Sequence, residues 1–204
     1  MQRVSSEKAA QAEAIFREHG GLLRTSEAID LGIHPRTLYY LRDTRRLDQV
    51  SRGVYRLADL PPLDDPDLVT VATRSSEAVI CLISALAFHE ITLEVPHEVY
   101  IALPRGMRGP ELDYPPLRVF HYSGLALSEG IEIHEINSVP VKIYSAAKTV
   151  ADCFKFRNKI GVDVAVEALK RYLERTDASP RTLLKYARIC RVERVMQPYL
   201  EALV

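Results

Sequence analysis

The chain has 204 residues, 47% of them hydrophobic by type and 26% charged, with a formal net charge of zero and no Trp. That length holds one large domain or two modest ones, and no stretch approaches the roughly 18 consecutive apolar residues that span a membrane. The first twenty residues lack the apolar region of a signal peptide, so the cytosol is the expected compartment. Cys81, Cys153 and Cys190 are odd in number, far apart and set among apolar neighbours. A disulfide framework needs pairs and a zinc site needs clustered ligands, so buried thiols are expected, with neither metal nor cofactor.

The neutral total conceals a segregation of charge. Residues 36–56 carry Arg36, Arg42, Arg45, Arg46, Arg52 and Arg56 against only Asp43 and Asp48. Residues 58–140 hold four basic residues among thirteen acidic ones, and from Val141 onward thirteen Lys and Arg face seven Asp and Glu. Two basic surfaces divided by an acidic segment are therefore expected.

In chain order, Ala9, Ala12, Ile15 and Phe16 fall on one helical face, and Gly20-Gly21 stops that helix. Thr25 reads as the N-cap of a short helix ending near Leu31, with Glu27 in its first turn. After Gly32, the next helix opens at His34-Pro35, with Leu38 and Leu41 as its inward pair. Leu47–Leu57 alternates like a hairpin turning at Arg52-Gly53. Helix, short helix, Gly-containing turn, helix, hairpin is the order of a winged helix-turn-helix.

The Pro- and Asp-rich run up to Asp67 reads as an interdomain linker. The expected organisation is a winged helix-turn-helix at 1–58, a linker at 59–67 and a larger α/β domain at 68–204. In that second domain, the apolar stretch from Ser76 to Glu90 predicts a buried helix. Strands are expected at 98–103, 117–122, 131–136 and 139–144, the last two joined at Asn137-Ser138. Helices are expected at 145–157, 162–175, 180–190 and 192–203, wrapping a small mixed or antiparallel sheet.

Two sets of residues carry the chemistry. With Leu38 and Leu41 inward, Arg36, Thr37 and Tyr40 are expected on the outer face of the recognition helix, with His34 at its tip. Arg offers a bidentate fork to guanine, while Thr and Tyr reach base edges or phosphate. Arg45 and Arg46 at the helix end suit the sugar-phosphate backbone, and Arg52 suits the wing tip. A solubilising surface is the alternative, but these cations converge where the motif meets double-stranded DNA. In the second set, Lys148, Lys155, Arg157 and Lys159 form a cationic run that reads either as a solvated helix face or as a surface for a phosphate-rich or acidic partner. No enzyme motif stands out. None of Lys142, Lys148, Lys155, Lys159, Lys170 and Lys185 has an acidic residue two positions before it, as a restriction-type nuclease needs, and there is no phosphate loop or nucleophile elbow. The one Asp-x-Asp, Asp65-Pro66-Asp67, lies in the linker, and the histidines at 89, 97, 121 and 134 are scattered.

Two phrases, GGLLRTSEAIDLGIHPRTLYYLRDTRRLDQVSRGVYRL and VKIYSAAKTVADCFKFRNKIG, give the chain a resemblance to the AbiEi antitoxins of type IV toxin–antitoxin (abortive infection) systems. The resemblance implies a repressor that binds inverted repeats in its own promoter, with two copies on one operator. It implies a C-terminal domain that counters a nucleotidyltransferase-like toxin without needing a stable complex. It supplies no catalytic residues. The alternative from the residues alone is a plain winged-helix regulator whose second domain senses a ligand or oligomerises.

Overall fold

The computed structural model describes residues 4–203; Met1–Arg3, the start of the expected module at 1–58, lie outside the described residues. The protein is mixed α/β and divides into two compact units, Met1–Arg74 with Glu135–Pro140, and Ser75–His134 with Val141–Val204.

In the first unit, α1 (Ser6–Glu18) is capped by Ser5, whose hydroxyl accepts the Lys8 N–H, and buries Ala9, Ala12 and Phe16, with Ile15 at the margin. It ends where Gly20, at φ +77°, lets the Gly21 N–H reach the Phe16 carbonyl at 2.7 Å, closing a Schellman turn. Then follow β1 (Leu22–Arg24), α2 (Thr25–Asp30), α3 (Pro35–Asp43), β2 (Leu47–Ser51), β3 (Val54–Leu57) and α4 (Pro66–Arg74). The strands form an antiparallel sheet in the order β1-β3-β2, with Leu22 opposite Arg56, Leu47 opposite Leu57 and an irregular register between Gln49 and Ser51. Leu38 and Leu41 join α1 and the sheet in one core, as their spacing predicts.

The boundary between the units falls at Ser75 rather than at 59–67. The Ala58 N–H bonds the Arg46 carbonyl, Asp59 pairs with Arg17, Leu60 packs on the first core and the Arg56 guanidinium donates to the Pro61 carbonyl. A stretch so fastened is not a free tether, and α4 starts at the very proline that reads as linker punctuation.

In the second unit come β4 (Val79–Ile80), α5 (Leu82–Phe88), β5 (Val99–Pro104), β6 (Leu117–Tyr122), α6 (Leu125–Ser128), β7 (Ile131–Ile136) and β8 (Val139–Tyr144). The helices α7 (Ala146–Lys155), α8 (Arg157–Ile160), α9 (Val162–Leu173), α10 (Pro180–Ile189) and α11 (Glu193–Leu203) follow. The sheet is mixed, in the order β6-β5-β4-β8-β7, with β5 parallel to β6, β4 parallel to β8 and β4 antiparallel to β5. The turn between β7 and β8 is Asn137-Ser138, both at positive φ, as the two-residue connection predicts. One helix was expected over 76–90; instead Val79–Ile80 forms a strand before α5. A strand buried on both faces and a buried helix both read as continuous apolar runs, so periodicity cannot separate them.

α7 packs against α5, α9 and α10 and is buried from Ala147 through Phe154. The three cysteines are buried and unpaired.

Candidate nucleic-acid interface

The recognition helix is α3. Its N-cap is His34, whose Nδ1 accepts the Arg36 N–H at 3.1 Å, so the imidazole holds the helix start while its ring stays exposed. Arg36 is exposed. Thr37 is not: only 6% of it is accessible, because it lies one turn before Leu41 and shares its inward face. The expectation that Thr37 projects toward a ligand is corrected accordingly. The outer stripe is Arg36, Tyr39, Tyr40 and Asp43, with Tyr39 47% and Tyr40 36% exposed. Tyr39 was missed in the sequence reading, although the i, i+3, i+4, i+7 pattern counted from Arg36 contains it. The Arg42 guanidinium lies 5.2 Å from the centre of the Tyr39 ring and donates to Asp43 Oδ1 at 2.9 and 2.8 Å. That arrangement stiffens one edge of the stripe.

The α3 C-terminus is a Schellman turn with a cation at its left-handed residue. Arg45 sits at φ +56°, its N–H bonds the Arg42 carbonyl at 3.0 Å and the Arg46 N–H bonds Leu41 at 2.8 Å. Glycine takes this conformation without the Cβ penalty of about 1–2 kcal/mol that an L-residue incurs. The position instead carries an exposed guanidinium. Arg45→Gly is expected to raise the stability of the unit by roughly 1 kcal/mol while weakening its binding to duplex DNA of any sequence. Thermal melts paired with binding to operator and random duplexes check this; a variant that is stabilised and binds undiminished contradicts it.

The other basic residues divide. Arg46 is part-buried and tied to Glu13 of α1, whereas Arg56 is buried against the Pro61 carbonyl and serves the fold. Arg52 is exposed at the turn of the β2–β3 wing. The wing is fastened to α2 through Thr25, whose N–H and hydroxyl both donate to the Gly53 carbonyl, at 2.8 and 3.2 Å. Thr25 therefore opens α2 without capping it: Arg24 is the N-cap, and its N–H bonds Glu27 Oε2 at 2.8 Å.

In the second unit the predicted cationic run splits as well. Lys148 is completely buried, with its Nζ 2.5 Å from Asp152 Oδ2 and 4.0 Å from the centre of the Tyr144 ring. It is not part of any surface, which corrects its place in the proposed antitoxin face. Asp152 also accepts from the Cys190 thiol at 3.1 Å; burial pushes Cys190 up to about 12, so it remains protonated as a donor. Burial likewise raises the Asp152 carboxyl above its ordinary range, and Lys148 opposes that shift. Gly130 lets the chain pass over the pair, since a Cβ there would meet the Lys148 Cβ at 2.8 Å.

Lys155, Arg157 and Lys159 do reach the surface to different degrees. Lys155 Nζ lies 5.2 Å from the centre of the Tyr122 ring, and Lys159 Nζ lies 5.6 Å from that of Phe120. Both also face Phe156, and Arg157 donates to the Phe154 carbonyl at 2.8 Å. Among the described residues none of the three pairs with a carboxylate. Also among the described residues, no group of three His, Cys, Asp or Glu could hold a metal ion, and no helix is long and apolar enough to cross a membrane.

Residues 11–58 match the model of a family described as transcriptional regulators, the AbiEi antitoxins. The matched stretch contains the recognition helix and the wing, and it bears out the resemblance carried by the first of the two sequence phrases. The fold is similar to that of the RV2827C protein from Mycobacterium tuberculosis, with a TM-score of 0.56 and 13% identity over 98% of this chain and 83% of that one. At that identity the likeness concerns the fold alone. No curated protein matches the chain.

Proposed function

We infer that this chain, whose N-terminal module is that of the AbiEi transcriptional regulators and antitoxins, represses the promoter of its own operon and counters a nucleotidyltransferase-like toxin encoded beside it. The observation that carries the DNA reading is the exposed Arg36–Tyr39–Tyr40 stripe, bracketed by Arg45 at the end of the helix and Arg52 at the wing tip. A guanidinium fork and two phenols on one helical face read base edges in a major groove, while the flanking arginines hold phosphates. One such module spans too few base pairs for genomic selectivity, so two copies on an inverted repeat are expected.

The antitoxin role is assigned to the second unit, and within it to Lys155, Arg157 and Lys159. What supports this reading is that three cations stand on one short segment and, among the described residues, none of them is held in an ion pair, a charge excess that attracts phosphate-rich or acidic surfaces. The test uses the full chain co-expressed with the product of the adjacent gene, alongside a promoter reporter. Replacing Lys155, Arg157 and Lys159 together by Ala is expected to abolish rescue of growth and leave repression intact. Arg36→Ala with Tyr40→Ala is expected to do the reverse. If the triple variant folds and rescues as the parent does, the cationic segment is only solvated surface. Loss of both activities in each variant overturns the division of tasks.

A further inference from the structure

Beside the wing, the first unit has an open cleft of about 320 Å³ lined by Arg24, Thr25, Ser26, Gly53, Thr73 and Arg74. We propose that this cleft receives a backbone phosphate of the DNA duplex between the guanidinium groups of Arg24 and Arg74. The inference rests on the DNA-binding reading above and adds a contact outside the matched segment 11–58, since Arg74 closes α4.

The donors suit an anion. Arg74 is exposed and uses Nη1 to bond the Arg52 carbonyl at 3.0 Å, so its remaining N–H groups are available. That bond also ties the end of α4 to the wing tip and fixes where the fork stands. Arg24 lines the same cleft. Its Nε is 3.8 Å from Glu27 Oε1, beyond hydrogen-bond reach, while Glu27 Oε2 is occupied by the Arg24 backbone N–H at 2.8 Å. Neither guanidinium is held by a carboxylate hydrogen bond, and Glu27 forms only a long ion pair with Arg24. The Thr25 and Thr73 hydroxyls donate internally, to the Gly53 and Val69 carbonyls, so they shape the cleft without competing for its occupant. Two planar forks lining one open cleft match the several oxygens of a phosphodiester better than a neutral or cationic group. The cleft borders the wing and the start of α2, which flank the recognition helix, and a contact there sets register without reading sequence.

The experiment measures affinity of the full chain for its promoter duplex and for a scrambled duplex of equal length, each across a salt series. Arg74→Gln and Arg24→Gln are each expected to weaken both duplexes alike, by about tenfold at low salt for the loss of one charge-assisted contact. Each is also expected to reduce the slope of log affinity against log salt by about 1, with Arg74→Lys keeping most of it. Tighter binding by Glu27→Gln supports the same placement. A role limited to bracing the wing lowers affinity and leaves the salt slope unchanged, and that result overturns the proposal. Inorganic phosphate titrated at constant ionic strength separates the sources: saturable binding of phosphate by the protein, with DNA affinity unchanged in the variants, makes the cleft a free-anion site and overturns it too. A parent protein that binds neither duplex overturns the functional reading along with this one, whereas a parent that binds and variants that match it sink this inference alone.

Discussion

Lys148→Met is expected to destabilise the second unit by about 3–5 kcal/mol, because it leaves the Asp152 carboxylate buried without its cation. The effect should appear as a large drop in the midpoint of denaturant unfolding, and in cells as lost protein. The same change at an exposed helical lysine costs within about 0.5 kcal/mol, so the two placements differ by far more than experimental error. The partner experiment is Lys148→Met with Asp152→Leu. Replacing both members of a buried pair by apolar side chains of similar size is often neutral or stabilising, so most of the loss should return. A single variant as stable as the parent contradicts the buried placement. A double variant worse than either single change shows that the surrounding rings of Tyr122 and Tyr144 cannot repack around an apolar pair. The pair therefore has to be left intact in any test of the proposed antitoxin surface, since a variant that unfolds fails to rescue for a trivial reason.

Arg36→Ala is expected to cost about 1–3 kcal/mol of binding to the protein's own promoter and to relax base preference at one position of each half-site. Arg36 stands exposed at the start of α3, where a side chain enters the groove first, and its N–H is already bonded to His34 Nδ1, so the backbone there is ordered before DNA arrives. Binding to random duplex should change far less. The contrast with Arg45 and Arg52 is the useful one: their removal should weaken all sequences alike, because phosphates carry no base identity. Equal losses on operator and random DNA for Arg36→Ala defeat its assignment as a base reader. Tyr39→Ala extends the test, since Tyr39 shares the outer stripe and is backed by Arg42.

Local rules were enough for the order of helices, turn and hairpin in the first unit, though not for where that unit ends. Gly20-Gly21, the Pro35 helix start, the Leu38–Leu41 pair and the Arg52-Gly53 turn each act within a few residues, so composition and spacing reveal them directly. The Asn137-Ser138 turn was legible for the same reason, whereas the sheet read equally as mixed or antiparallel until the pairing of distant strands, β4 with β8 and β5 with β6, made it mixed. Where a reading required knowing which of two adjacent positions faces inward, the sequence was ambiguous: Thr37 is chemically acceptable on either side of α3, and packing against α1 placed it inside. Lys148 is the sharper case. An i, i+4 Lys–Asp pair looks the same on a solvated face and in a core. The signal that tells them apart lay in the flanking residues, since Ala147, Thr149, Val150, Ala151, Cys153 and Phe154 make α7 apolar around nearly its whole circumference. The sequence by itself determined the winged helix-turn-helix and the positive charge gathered on its recognition helix and wing, because capping, turns and periodicity are local. Only the tertiary structure decided which cations remain on the surface, that α4 belongs with the first unit and that Arg74 reaches the wing, because burial and long-range hydrogen bonds depend on what else the chain brings alongside.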